Sequence, residues 1–148
     1  MKRSIIAVSC LLAVQAMAAE KIPHRLLVSA IWKIYSINES KTVDWVYAPE
    51  AEKNPVILDA WALPNGNILF SHRYGIVEMT PEKKVVWEYN VEREKLTELH
   101  SCQPLPNGRL LLLQCDNDRL VEMDRDGKVH CEIKLAGTWK NPHVRYGV

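Results

Sequence analysis

Two histidines, His100 and His143, stand 43 residues apart in a chain of 148. If the chain repeats at that interval, the two imidazoles hold equivalent places in neighbouring units. Paired imidazoles near neutral pH suit proton transfer, anion binding or metal ligation. Arg145 adds a permanent positive charge two positions after His143, which suits an anionic ligand. The competing assignment is that both imidazoles cap strand ends or bond a neighbouring unit. Asp116-Asn117-Asp118 has the oxygen-rich character of a calcium loop but lacks its glycine and distal glutamate, so it reads as an acidic turn. His24, His72 and Arg73 read as solvated. No nucleophile elbow, phosphate loop, zinc spacing or basic patch is present, so no catalytic metal and no nucleic-acid partner are expected.

The elements that must position these residues come in a repeat. Leu63-Pro64-Asn65-Gly66 returns as Leu105-Pro106-Asn107-Gly108, 42 residues on, and Val77-Glu78-Met79 returns as Val121-Glu122-Met123, 44 on. Val85-Val86-Trp87-Glu88-Tyr89 is matched by Val129-His130-Cys131-Glu132-Ile133. A looser copy runs from Lys33 to Tyr47, with Trp45 42 residues before Trp87. Within one unit the pattern predicts strands at Ile57–Leu63, Asn67–Ser71, Gly75–Met79 and Lys84–Val91, separated by Asn-Gly and Thr-Pro-Glu-Lys turns. No convincing amphipathic helix follows residue 20.

Four short antiparallel strands every ~42 residues match the size of a propeller blade. A sandwich or meandering barrel does not explain the same turn chemistry returning in the same place. The expected fold is therefore all-β: a partial β-propeller of four-stranded antiparallel blades, about three blades' worth. Units fall near 26–49, 57–91 and 99–135, with the start of another at 142–148. The first strand of each blade lines the channel, which would turn His100 and His143 toward its mouth. Leu58, beside Asp59, takes that place in the earlier copy, so a histidine ring is incomplete. Trp45 and Trp87 are expected to fill the wedge between blades. Three blades are fewer than the usual four to eight. The chain is accordingly expected to be about half of a domain, or to self-associate and close the ring.

The stretch Arg119 to Val129, with its apolar strand, acidic end and Asp126-Gly127-Lys128 turn, resembles the repeat of bacterial quinoprotein-like (PQQ-like) β-propellers. Ile76 to Trp87 shows the same order. Two departures stand out: Glu82-Lys83-Lys84 replaces the glycine turn, and Cys131 stands where a Trp belongs. The Leu-Pro-Asn-Gly turn ahead of an apolar strand is similar to that of periplasmic arylsulfotransferase propellers. The resemblance covers roughly residues 25–148. It implies a propeller, and a channel histidine in catalysis, which would fall on His100 or His143 by position alone.

Residues 1–18 read as a secretory signal peptide: Met1-Lys2-Arg3, an apolar run from Ile5 to Val14, then Ala16-Met17-Ala18. The run is too short for a membrane span, which needs ~20 residues. Residues 19–148 would be exported, periplasmic or secreted. A net charge of +1 and 25% charged residues exclude a disordered or strongly basic chain. Of the three remaining cysteines at least one must stay unpaired within the chain. A Cys102–Cys115 bridge is conceivable, and buried free thiols are the plainer assignment. The expected function is non-catalytic binding of a protein, glycan or small molecule. The alternative is part of a sulfotransferase-like or quinoprotein-like enzyme; ligand, partner and cofactor are not legible.

Overall fold

In this computed structural model the described residues are 22–49, 56–91, 98–114 and 118–135. They form eleven strands and no helix. The first sheet contains β1 (Leu26–Ala30), β2 (Lys33–Ile37) and β3 (Val43–Tyr47). The second contains β4 (Ile57–Ala62), β5 (Ile68–His72), β6 (Gly75–Met79) and β7 (Val85–Asn90). The third contains β8 (Leu99–Pro104), β9 (Leu110–Gln114), β10 (Arg119–Met123) and β11 (Val129–Lys134). Every sheet is an antiparallel meander in which sequence neighbours are spatial neighbours. The chain is all-β, and its sheets are blades of a propeller.

One turn chemistry closes most of the hairpins. Gly66 N–H donates to Leu63 O and Leu63 N–H to Asn67 O, and Leu105–Arg109 repeats both bonds. The positive φ falls on Gly66 alone (85°) and not on Asn65. Pro64 fixes a negative φ, so the loop becomes a type I turn followed by one left-handed residue. Asp124–Lys128 uses the same geometry with Gly127, and Thr80–Lys84 uses it with Lys83 at φ 69°. The glycine missing from that sequence has not changed the turn; a lysine has been forced into the glycine's conformation.

The sheets stack face to face through two apolar layers. Ile34 from the first sheet meets Ile57, Ile68, Phe70, Val77 and Met79 from the second, with Trp45 and Tyr47 alongside. Leu69 and Ile76 from the second meet Leu99, Leu110, Leu112, Val121 and Met123 from the third. Alternation decides this: Leu69 and Phe70 are adjacent, point to opposite faces, and are both fully covered. Each such side chain contributes about 1.5–3 kcal/mol. β4 and β8 pack on each other, while β3, β7 and β11 make no mutual contact among the described residues. The sheets therefore converge at β4 and β8 and splay at the other edge.

The splayed edge is where tryptophan acts. Trp45 Nε1 donates to Pro81 O (2.7 Å) and Trp87 Nε1 to Arg125 O (3.0 Å). Each indole thus reaches the outer turn of the following blade, as the wedge argument requires. Lys83 lies 5.9 Å from the Trp45 ring centroid and Arg125 lies 4.5 Å from that of Trp87. At the third copy, Cys131 is an exposed free thiol.

Candidate functional site

His100 is the second residue of β8. The register between β8 and β9 shifts between Leu99 and Ser101, so His100 is the extra residue of a bulge. Leu58 is the extra residue in the corresponding bulge of β4. A bulge redirects a side chain out of the ladder. The redirected imidazole lies against its own chain: His100 Nε2 is 3.0 Å from Glu98 Oε2, and both side chains are mostly covered. Glu98 Oε1 in turn pairs with Arg73 Nε at 2.6 Å. Arg73 sits in the β5–β6 turn, and its carbonyl accepts from Leu99 N–H at 3.1 Å. A guanidinium, a carboxylate and an imidazole are therefore lined up across two blades.

This arrangement fixes His100 through its Nε2. His143 and Arg145 lie outside the described residues, so their convergence on His100 is not among the observed contacts. Cys115, Asp116 and Asn117 also lie outside them. Arg73 belongs to the His100 group, a role that sequence alone did not suggest. No cluster of three or more potential metal ligands occurs among the described residues, and no helix among them is long and apolar enough to cross a membrane.

At the opposite end of the strands a cleft of about 300 Å³ opens between the two Leu-Pro-Asn-Gly turns. Leu63, Pro64, Pro104 and Leu105 make its apolar walls; Glu78, Arg109 and Arg125 supply charge. The antiparallel pairing of β5 with β6 brings the turn asparagines to Glu78. Asn67 Nδ2 donates to Glu78 Oε1 at 2.7 Å and Asn65 Nδ2 at 3.3 Å, while Arg125 Nη1 reaches Oε2 at 2.7 Å. Burial works to raise the Glu78 pKa, but these donors and the Arg125 charge outweigh it and hold the carboxyl below its usual range. The next blade repeats the design: Asn107 and Arg109 both donate to Glu122 Oε1, at 3.2 and 2.9 Å. The Leu-Pro-Asn-Gly and Val-Glu-Met motifs are two halves of one polar device.

Deeper between the blades, the Asp59 carboxylate accepts from Trp61 Nε1 (3.0 Å) and from Cys102 N–H (3.2 Å). Burial first, and then the Asp59 charge, push the Cys102 thiol far above its ordinary value. Cys102 is free, so the conceivable bridge to Cys115 is absent.

Comparison with solved structures agrees with this architecture. A Bacteroides caccae protein of unknown function superposes with a TM-score of 0.59 at 19% identity, over 80% of this chain and 44% of that one. A streptogramin B lyase gives 0.58 at 17%, over 77% and 38%. An inactive virginiamycin B lyase from Staphylococcus aureus, with quinupristin, gives 0.58 at 17%, over 80% and 40%. The chain is part of a β-propeller. It spans less than half the length of each of these structures. No family model matches the sequence, and no curated protein does. The quinoprotein-like and arylsulfotransferase-like resemblances remain readings of the sequence.

Proposed function

We propose that residues 19–148 are an exported propeller module that binds a small, hydroxyl-rich ligand such as a sugar unit, without catalysis of its own. The observation that carries this reading is the cleft between the Leu-Pro-Asn-Gly turns. It has about the smallest volume typical of ligand sites, proline walls on which an apolar ring face can lie, and charged groups already fixed by hydrogen bonds. Titration calorimetry with mono- and disaccharides tests this. Binding should be lost in Arg109→Ala and kept in His100→Ala. Binding that survives Arg109→Ala, or no binding at all, would refute it. Export is tested by the mass of the secreted chain, expected to begin at Ala19.

A channel-histidine enzyme is the second reading, favoured by the Arg73–Glu98–His100 alignment, which could orient an imidazole as a base. Aryl-sulfate turnover that disappears in His100→Ala would establish it. Turnover unchanged in that variant would remove His100 from catalysis.

A further inference from the structure

The cleft between the Leu-Pro-Asn-Gly turns differs in charge from its own copy one junction earlier. Strand register equates Ser36, Glu78 and Glu122, which face Trp45, Trp87 and Cys131 on the outer strands. Turn bonds equate Asn67 with Arg109, whose carbonyls close the two hairpins, and the tryptophan bonds equate Pro81 with Arg125. The junction of the first and second blades thus has Ser36, Asn67 and Pro81 where the next junction has Glu78, Arg109 and Arg125. A neutral set has been replaced by three ionisable groups, and all three line the cleft.

What these groups leave open is donors. Glu78 accepts from Asn67 and Asn65 on Oε1 and from Arg125 on Oε2, so both of its oxygens are occupied. Arg109 commits Nη1 to Glu122, and Arg125 commits Nη1 to Glu78 while lying over the Trp87 ring. The side chains of both remain about a third exposed, at 37% and 32%, and a guanidinium fork offers further N–H donors and no acceptor.

We propose that the ligand of this cleft is an acidic sugar with one negative charge, a carboxylate or a sulfate ester, held by Arg109 and Arg125 while its ring lies on the proline walls. This rests on the cleft being a sugar site. A hydroxyl both donates and accepts, whereas an ionised acid group only accepts, so the acid matches a donor-rich wall better than its neutral parent. The charge count sets the limit of one. Two arginines against Glu78 give the lining a charge of +1, and Glu78 is held ionised by its donors despite its burial. Glu122, which is not part of the lining, pairs with Arg109 and leaves no surplus for a second negative charge. A phosphate monoester carries about −1.5 to −2 at pH 7 and is therefore the poorer ligand.

Titration calorimetry on the full chain compares glucose and galactose with glucuronate and galacturonate, and with the 6-sulfates and 6-phosphates of both sugars. A singly charged acid should bind about tenfold or more tightly than its neutral parent. The gain should shrink as sodium chloride is raised, and the 6-phosphate should bind more weakly than the 6-sulfate. The larger gain, in the uronate or in the 6-sulfate, identifies the acid group. Neutral sugars that bind as well as their acids would overturn the proposal and leave the sugar site standing, whereas binding of none would remove both. A 6-phosphate tighter than the 6-sulfate would overturn the charge count. Glu78→Gln removes one negative charge at nearly constant shape and should narrow the gap between those two esters. An unchanged gap, in a variant folded by circular dichroism, overturns the role given to Glu78; the wild-type comparisons decide the case if that variant does not fold.

Discussion

Replacing Trp87 by Phe keeps an aromatic ring in the wedge but removes the indole N–H, leaving Arg125 O without its 3.0 Å donor. A hydrogen bond of this kind contributes about 0.5–1.5 kcal/mol. Arg125 stacks over the ring at 4.5 Å, and weakening that contact costs about 0.5 kcal/mol more. The structure thus gives roughly 1–2 kcal/mol for Trp87→Phe. Trp45→Phe removes an equivalent bond to Pro81, but Lys83 lies at 5.9 Å, near the limit of useful attraction. It should cost about 1 kcal/mol or less. Urea unfolding followed by far-ultraviolet circular dichroism, at one fixed protein concentration, measures both. With slopes of about 1–3 kcal/mol per molar, Trp87→Phe should lower the midpoint by roughly 0.3–2 M. The latches lie at different junctions, so the double variant should show the sum. A Trp87→Phe midpoint equal to wild type, or a larger loss in Trp45→Phe, would refute the latch argument.

Three further outcomes follow from the polar contacts and the turns. Asp59→Ala leaves the buried Cys102 N–H without its side-chain acceptor and should cost about 1–3 kcal/mol; thiol titration should also show the Cys102 pKa falling, since the Asp59 charge helps to raise it. The Glu78 pKa is lower folded than unfolded, so its contribution is present above the unfolded value and is lost as pH falls through the folded one. Glu78→Gln should therefore flatten the acid limb of stability against pH, and an unchanged limb would contradict the assignment. Gly127→Ala places a Cβ at φ 85°, 3.2 Å from the Tyr89 ring, and should cost about 1–2 kcal/mol by thermal unfolding.

The repeat was legible because its turns are written in residue types with strong backbone preferences. Pro64, Asn65 and Gly66 announce a hairpin wherever they occur, and the spacing of their copies gives the size of the unit. The strands followed from alternation, with ends misplaced by one residue where the β4 run stops at Ala62 and β5 begins at Ile68. What hid was the pairing between motifs. Asn65 and Glu78 are 13 positions apart and carry no mutual mark; only the β5–β6 register brings them together. Glu98 was equally obscure, because it precedes β8 and gains meaning only when the β5–β6 turn brings Arg73 beside it. Lys83 shows the converse case. Its residue type argues against a left-handed turn, yet the bonds closing the hairpin on both sides impose one.

On the proposed export into an oxidising compartment, the covered thiol at Cys102 would set an order of events. Thiolate is the form that oxidants and disulfides attack, and the folded chain suppresses it by burial and by the neighbouring Asp59 charge. Before folding neither restraint exists, and the thiols are open to wrong pairing. Protection is therefore acquired at the moment the second and third blades close on each other. Any change that slows the closure lengthens the exposure, so a lesion at this junction would appear first as cross-linked material and only later as a lowered melting temperature.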